Sequence, residues 1–152
     1  MIHLTKMTPK EYQDYLLSAI KDYANDKVKN GTWNAGESFE QAKKVFQELL
    51  PQGVATPMHF LYTVKSEDGP IGYTWFFCDN TKEAFIYDIG IFEEFQNKGY
   101  GTLTMKLLEQ KVKSLGAKKI SLHVFGSNQR ALHVYQKVGY QITDYNLTKL
   151  IE

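Results

Sequence analysis

A glycine-containing segment that joins a predicted strand to a predicted helix is the clearest candidate binding site in this sequence. It reads Gln96, Asn97, Lys98, Gly99, Tyr100, Gly101 and Thr102. Glycines let the backbone turn tightly and present its N–H groups, and the N-terminal end of the following helix attracts anions. The segment is neither a P-loop nor the dinucleotide fingerprint, whose third glycine would fall at Thr104. It predicts a phosphate cradle, although a Gly-x-Gly pair on its own also fits an ordinary turn.

Positive charge is concentrated around residues 96–102, which we call the cradle. Residues 98–137 contain eight basic residues and one acidic residue, a net charge of +7, whereas the rest of the chain carries −6. Such a stretch favours a negatively charged partner, although lysines on solvated helix faces explain most of these runs. A sequence pI of 7.8 is low for a protein that binds nucleic acid, so we expect no nucleic-acid partner.

A second candidate helix begins after Asn128, a suitable N-cap, and ends at Gly139. Tyr135 lies at helical spacing from Ala131 and Val138. By itself this spacing indicates a tyrosine that packs in the core.

Asp88 stands between aromatic and aliphatic residues in a predicted strand. Such a carboxylate is usually paired or half exposed, and it can also act as a base or bind a cation. The four histidines show no metal-ligand spacing, so we predict no metal site. We expect His123 to be structural, and three further residues are candidates for a cleft: His59, Trp33 and Trp75.

The elements that must position these residues begin with two helices. Thr8 and Glu11 predict a capping box at the start of the first helix, which should end near Ala24. Ser38 is the predicted N-cap of the second helix, which stops before Pro51.

The rest of the chain predicts a sheet with helices packed on it. Short turns join three strands into an antiparallel meander. A fourth strand lies between the helix after the cradle and the helix capped by Asn128, and a strand pair ends the chain. The predicted strands are residues 60–65, 71–78, 83–91, 120–125, 140–143 and 145–151. The order αα-βββ-α-β-α-ββ is that of an α+β fold, an α/β sandwich, in a single domain of residues 1–152.

The size and composition of the chain fit one globular domain. Its 152 residues are 43% apolar and include one cysteine, Cys78, so no internal disulfide can form. No apolar run approaches the ~18 residues of a membrane-spanning helix. The first ten residues lack the pattern of a signal peptide. We therefore expect a cytoplasmic protein without a membrane partner.

Two spaced motifs resemble those of a known family. The Gln-x-x-Gly-x-Gly pattern of the cradle, followed about thirty residues later by Asn128 to Tyr140, resembles the acetyl-CoA signature of the GCN5-related N-acetyltransferases, the GNAT superfamily. The resemblance covers about residues 70–140. It implies a mixed, centrally antiparallel sheet flanked by helices. It also implies that strands 85–91 and 120–125 splay apart, often with a bulge, so that the pantetheine arm of the coenzyme lies between them.

The resemblance also implies roles for individual residues. Besides the cradle, acetyl-CoA would be bound by Ile89, Gly90, Ile91, Asn128, Ala131 and Tyr135. One strand N–H would polarise the thioester carbonyl. Tyr135 would protonate the leaving thiolate.

The resemblance leaves the general base open. An alkyl amine with a pKa near ~10.4 is mostly protonated at neutral pH, so a base or a water chain must take its proton. Some histone-modifying members place a glutamate on the strand before the cradle, but Phe85 stands at that position here. The candidates are Asp88, His123, Glu37 or a relayed water, and we assign Asp88 as the catalytic one.

The sequence therefore predicts an acetyl-CoA-dependent N-acetyltransferase that acts on a primary amine. The alternative is a catalytically silent acyl-CoA-binding or sensor domain, which the missing glutamate leaves open. Acidic residues expected around the cleft favour a positively charged acceptor: Asp22, Asp26, Glu37, Asp88 and Asp144. A monomer and a homodimer are both compatible with the sequence.

Overall fold

A computed structural model describes residues 1–151, which form five strands, four α-helices and two short 3-10 turns. The strands are β1 (His3–Lys6), β2 (His59–Ser66), β3 (Gly69–Cys78), β4 (Glu83–Ile91) and β5 (Lys119–Leu122). The helices are α1 (Pro9–Lys29), α2 (Ser38–Leu49), α3 (Tyr100–Ser114) and α4 (Gln129–Lys137). The 3-10 turns Gly53–Ala55 and Glu93–Phe95 precede β2 and α3.

The five strands form one mixed sheet in the order β1-β2-β3-β4-β5. The first four strands pair with antiparallel neighbours, whereas β5 lies parallel to β4. A parallel pair needs a long crossover connection, which α3 provides here. The predicted α/β sandwich with a centrally antiparallel sheet is confirmed.

Helices cover the two faces of the sheet through separate apolar clusters. Neighbouring residues of a strand point to opposite faces, and β3 shows this at Trp75 and Phe76. Trp75 packs with Ala42 and Phe46 of α2. Phe76 packs with Leu108 of α3. Trp75 is 2% exposed and Phe76 is fully buried, so β3 is the centre of the core.

The predicted capping box begins α1. The Thr8 hydroxyl accepts the N–H of Glu11 at 3.1 Å, and the Glu11 carboxylate accepts the N–H of Thr8 at 2.9 Å. The helix continues to Lys29, beyond the predicted end near Ala24. Lys27 and Lys29 in its last turn favour this extension, because positive charge stabilises a helix C-terminus.

The start of α2 differs from the prediction. Glu37 is the N-cap residue, and Ser38 is already helical. Ser38 is buried, and its hydroxyl donates to the carbonyl oxygen of Ala35 at 3.1 Å. The predicted N-cap at Ser38 is wrong because this local hydrogen bond turns the side chain back toward the preceding loop.

Both ends of the chain also differ from the prediction. β1, which no sequence pattern predicted, pairs with β2 from His3↔Lys65 to Lys6↔Tyr62. At the other end, residues 140–151 contain no strand, so the predicted pair 140–143 and 145–151 is wrong for the described residues. Residues 141–151 are exposed instead.

Two kinds of feature are not found in residues 1–151. None of the helices there combines the length and the apolar character that crossing a membrane requires. No group of three or more His, Cys, Asp or Glu side chains in this part of the chain could hold a metal ion.

Candidate active site

A gap opens in the sheet between β4 and β5. The two strands pair only from Glu83↔Lys119 to Ile86↔Leu122, although β4 continues to Ile91. Beyond Ile86 the edge of β4 that faces β5 is therefore free to bind a ligand through its backbone. The predicted splay between the two strands is confirmed by this register, although the predicted strand 120–125 is wrong at its end because β5 stops at Leu122.

A β-bulge lies where the gap opens. Trp75 is opposite Asp88 and Phe76 is opposite Ile86, so Tyr87 is the extra residue of β4. A bulge bends its strand and changes the direction of the side chains that follow. Here the bulge coincides with the contact between Asp88 and α1 that is described below.

The cradle begins α3 with free backbone amides. Asn97 and Gly99 have left-handed φ angles of 64° and 82°, so the backbone turns sharply before the helix. Within residues 1–151, the four N–H groups from Gly99 to Thr102 have no acceptor in the chain. The N–H of Gln96, in contrast, donates to the carbonyl oxygen of Glu93 at 3.2 Å. Four free N–H groups at a helix N-terminus form an anion-binding site.

A cavity of about 200 Å³ borders these amides. Its walls are Ile91, residues of the cradle, and Arg130 and Val134 of α4. The Arg130 guanidinium donates to Oδ1 of Asn97 at 3.1 Å, which ties α4 to the cradle. A Cβ atom on Gly101 would meet no other atom within 4 Å, so this glycine faces open space.

Backbone groups at the end of β4 alternate in direction. The N–H of Phe92 donates to the carbonyl oxygen of Ile71 in β3 at 2.8 Å. Because backbone groups of successive strand residues point to alternate sides, the backbone groups of Gly90 also face β3, whereas those of Ile89 and Ile91 face the gap. The side-chain amide of Gln96 donates to the carbonyl oxygen of Ile91 at 2.9 Å. Ile89 and Ile91 are therefore the members of the predicted set whose backbone is directed at the gap.

Gly90 has a separate structural role. A Cβ atom at this position would collide with the hydroxyl group of Tyr73. The Tyr73 ring also packs against Tyr15, with the ring centroids 5.0 Å apart. A glycine inside a strand often marks such a close approach.

Asn128 caps α4 as predicted. Its Oδ1 accepts the N–H of Ala131 at 3.1 Å. Its NH₂ group has no partner in the part of the chain that the structure describes, so it is available to a ligand. Contacts of Asn128 and Ala131 with the coenzyme stay predictions.

Asp88 is held by a tyrosine from α1. The Tyr15 hydroxyl donates to Oδ2 of Asp88 at 2.6 Å. Burial raises the pKa of Asp88 to about 6, against the opposing effect of hydrogen bonds from Tyr15 and the N–H of Ile89. The negative charges of Asp22 and Asp26 raise this pKa further. A carboxylate with a pKa close to neutrality is suited to accept a proton.

Tyr135 lies half-buried on α4, close enough to Asp88 for their charges to interact. Burial raises the pKa of Tyr135, and the negative charge of Asp88 raises it further. Its hydroxyl is therefore protonated at neutral pH and can donate a proton. The ring packs edge-on against Tyr140, with the centroids 5.8 Å apart.

Three predicted cleft residues have other neighbours. The indole N–H of Trp75 donates to Nδ1 of His59 at 3.0 Å, and Trp75 is buried in the core. Trp33 packs against Tyr23 with ring centroids 5.6 Å apart, and Nζ of Lys27 lies 5.4 Å from the Trp33 centroid.

Two of the base candidates, Glu37 and His123, are exposed and shift the pKa of neither Asp88 nor Tyr135. Glu37 is exposed at the start of α2. His123 is exposed, and its ring packs edge-on against Phe125 at 5.1 Å. Neither residue is among the groups that shift the pKa of Asp88 or Tyr135. Asp88 is therefore the candidate whose charge acts on Tyr135.

Neither Tyr15 nor Tyr73 is recognisable as a site residue in the sequence. Tyr15 fits the apolar stripe of an amphipathic helix, and 73 positions separate it from Asp88. The one local signal is Gly90, because a glycine within a strand indicates a close neighbour.

The groups present fit a nucleotide thioester such as acetyl-CoA. The free N–H groups of the cradle and the positive charge of Arg130 suit phosphate. The open edge of β4 and the NH₂ group of Asn128 suit an extended arm that contains amides.

Comparison with known proteins identifies relatives over most of the chain. A sequence model of the acetyltransferase (GNAT) family matches residues 15–140. The uncharacterised N-acetyltransferase YycN of Bacillus subtilis is 40% identical over 152 residues, covering 97% of each chain. YdgE of the same organism, also named an uncharacterised N-acetyltransferase, is 31% identical over 150 residues and 96% of each chain.

Solved structures show the same architecture. The crystal structure of YycN matches with a TM-score of 0.96 and 39% identity, covering 100% of this chain and 99% of that chain. The aminoglycoside N-acetyltransferase AAC(6')-Iy, solved in complex with CoA, matches with a TM-score of 0.59. It is 10% identical, with 99% of this chain and 95% of that chain covered, so this second likeness concerns the fold alone.

Proposed function

The chain belongs to the GNAT family and is an acetyltransferase, and on this premise we propose that it transfers an acetyl group from acetyl-CoA to a primary amine by direct attack on the thioester. In this proposal Asp88 takes a proton from the amine, and Tyr135 gives a proton to the leaving thiolate. The observation that carries the proposal is the gap in the sheet beyond Ile86, with Asp88 on β4 beside it and the negative charge of Asp88 raising the pKa of Tyr135 on α4.

Residues of the cradle and α4 bind the anionic part of acetyl-CoA in this proposal. The N–H groups from Gly99 to Thr102 and the Arg130 guanidinium face the phosphates. The hydrogen bond between Arg130 and Asn97 supports this, because it fixes the guanidinium at the cradle. The net charge of +7 in residues 98–137 adds a favourable field for a polyanion.

The edge of β4 orients the reacting end. Acetyl-CoA supplies an activated acyl group, whose carbonyl oxygen gains negative charge as the amine attacks. The N–H of Ile89 interacts with the Asp88 carboxylate, so Ile91 is the better candidate to stabilise that charge. The hydrogen bond from Gln96 to the carbonyl oxygen of Ile91 holds the next peptide unit, between residues 91 and 92, in place.

Proton transfer is divided between Asp88 and Tyr135. The pKa of about 6 leaves Asp88 mostly ionised at neutral pH and still basic enough to accept a proton. The raised pKa of Tyr135 keeps its proton available for the thiolate. The two groups therefore hold opposite protonation states in the resting protein, as an acid and a base must.

The acceptor in this proposal is a positively charged amine, such as a polyamine, an aminoglycoside-like molecule or a lysine-like group. Asp22 and Asp26 lie close enough to Asp88 to act on its pKa, so three carboxylates share one region. Aromatic faces nearby already contact an ammonium group, that of Lys27, which lies 5.6 Å from the Tyr23 centroid.

A panel of amines tests the proposed function. Purified protein is mixed with acetyl-CoA and matched acceptors that differ in charge, and release of the CoA thiol is followed. We expect turnover with cationic amines and little with acidic amino acids. Faster turnover of anionic acceptors would contradict the acceptor class. Tight binding of acetyl-CoA without turnover of any amine would instead favour the silent acyl-CoA-binding domain.

A further inference from the structure

Three aromatic rings lie around the ammonium group of Lys27, near the end of α1. They belong to Tyr23 of α1, to Trp33 in the loop after α1, and to Phe125 in the segment after β5. The Lys27 Nζ atom lies 5.6, 5.4 and 5.9 Å from their respective ring centroids. Each distance is within the range of a cation–π contact. These three rings, which we call the aromatic cage, therefore already hold an alkylammonium group.

Contacts that do not involve the Lys27 side chain hold the aromatic cage together. The backbone N–H groups of Thr32 and Trp33 donate to the carbonyl oxygen of Lys27 at 2.9 and 3.2 Å. The Tyr23 ring packs edge-on against Trp33, with the centroids 5.6 Å apart, and its centroid lies 6.2 Å from that of Phe125. Because backbone and ring contacts build the cage, it persists when the ammonium group leaves.

The ammonium group of Lys27 can leave the cage without breaking an ion pair. Every salt bridge found within residues 1–151 is formed by other residues. The Lys27 side chain is only half-buried, so water can hydrate its ammonium group once it has moved out. Another cation of similar shape can therefore exchange with it.

The helix α1 places the aromatic cage across the gap from Asp88. The Tyr15 hydroxyl bonds Asp88 on the β4 side of the gap, whereas the Tyr23 ring contacts Phe125 on the β5 side. The helix therefore crosses the gap between these two contacts. Tyr23 follows Tyr15 by eight positions, which corresponds to about 12 Å along a helix.

We propose that the aromatic cage is a second cation site, for the ammonium group of the acceptor that is remote from the reacting amine. Lys27 occupies the cage in the absence of the acceptor and is displaced when the acceptor binds. The role in acceptor binding rests on the proposed function, whereas the affinity of the cage for a cation does not. The acceptor is then a long diamine or polyamine with ammonium groups about 12 Å apart.

The attachment of Lys27 to α1 makes the cage selective. A side chain on the same helix competes at a high effective concentration, so a free monoamine displaces it poorly. A diamine that is bound at Asp88 by one end presents its other end to the cage with the same advantage. Asp22 and Asp26 lie on α1 before the cage, and their charges act on Asp88. They therefore favour a cationic chain between the two ends.

Binding of tetramethylammonium, which cannot be acetylated, tests the cage without acetyl-CoA. Ligand-detected NMR gives its dissociation constant. We expect Lys27→Ala to bind this cation at least roughly threefold more tightly than the unaltered chain, because the competing ammonium group is gone. Lys29→Ala is the matched control. It removes the same charge from an exposed position two residues later and should bind as the unaltered chain does.

Addition of Trp33→Leu to the Lys27→Ala variant should abolish the gain in affinity, because one wall of the cage is lost. Phe125→Leu replaces it as the cage variant if thermal unfolding shows that Trp33→Leu does not fold. Equal affinities of Lys27→Ala and Lys29→Ala would overturn the proposal. A gain that survives the loss of a cage ring would overturn it as well.

Turnover tests the role of the cage in acceptor binding. The KM is measured for a diamine of matching span and for the monoamine of the same chain length. Lys27→Ala should lower the ratio of the diamine KM to the monoamine KM at least roughly threefold. An unchanged ratio would overturn the acceptor role. Binding of tetramethylammonium in the cage without turnover of any amine would contradict the proposed function, and the acceptor role with it, while the cage would stand as a cation site.

Discussion

The hydroxyl of Tyr15 donates a 2.6 Å hydrogen bond to the carboxylate of Asp88, and so joins α1 to the bulge in β4. The contact sets the basicity of Asp88, because a hydrogen bond to an ionised carboxylate lowers its pKa while burial raises it. The balance leaves a pKa of about 6. Removal of the Tyr15 hydroxyl would take away one side of this balance.

Tyr15→Phe should raise the pKa of Asp88 above about 6, because burial then acts with less opposition. The carboxyl carbon of Asp88, followed by NMR through a pH titration, measures this directly. Tyr12→Phe is the matched control, since Tyr12 lies on the same helix and makes no hydrogen bond to Asp88. An unchanged or lower pKa in Tyr15→Phe would show that the hydrogen bond does not set the basicity of Asp88.

Tyr135→Phe should lower kcat and leave the affinity for acetyl-CoA nearly unchanged. The ring keeps its packing against Tyr140, while the proton for the thiolate is lost. Loss of a general acid typically costs roughly 10²–10⁴-fold in rate. Steady-state kinetics, with calorimetry for binding, separate the two quantities. If a burst experiment shows that chemistry is rate-limiting, a fall in kcat of less than about threefold would mean that Tyr135 only packs in the core and is not the general acid.

Gly101→Glu should weaken acetyl-CoA binding by at least roughly tenfold with the fold intact. The new side chain would enter the open space beside the free amides and place a negative charge next to the phosphates. Gly36→Glu is the control, because position 36 is also open and lies in the loop before α2. Equal affinities of the two variants by calorimetry would place the phosphates elsewhere.

Gly90→Ala should destabilise the fold by roughly 1–3 kcal/mol, the usual cost of overpacking. The added methyl group would collide with Tyr73, which packs on Tyr15 beneath the site. Denaturant unfolding measures the loss. Gly36→Ala is the matched control. Because a Cβ atom at position 36 would meet no other atom within 4 Å, this substitution should change stability little. Equal stabilities of the two variants would mean that Tyr73 moves aside without cost.

Local signals were enough to predict the cradle and two of the helix starts. The Thr8 capping box, the Asn128 cap and the turn at Gly99 depend on residues within a few positions of each other, so the sequence displays them directly. Ser38 shows the limit of such signals. Its hydroxyl donates to the carbonyl oxygen of Ala35 in the preceding loop and does not cap the helix.

Contacts between distant segments could not be predicted in the same way. The pairing of Tyr15 with Asp88 depends on how α1 crosses the sheet, and no pattern in either segment encodes that crossing. The C-terminal segment, residues 141–151, is a different case. Its alternating apolar residues indicate a strand, but a strand forms only beside another edge, and within residues 1–151 the segment pairs with neither edge of the sheet.

The pH dependence of kcat/KM tests the central claim, that Asp88 is the base of an acetyl transfer, most directly. The kcat/KM of the unaltered enzyme is divided by that of Asp88→Asn, both measured with one cationic amine. The effect of the amine's own ionisation on kcat/KM is the same in both enzymes and therefore cancels. Because Asp88 must be ionised to accept a proton, the ratio should be large and constant well above pH 6 and should fall about tenfold per pH unit below it. A ratio that stays constant from pH 5 to pH 8 would contradict the assignment of Asp88 as the base.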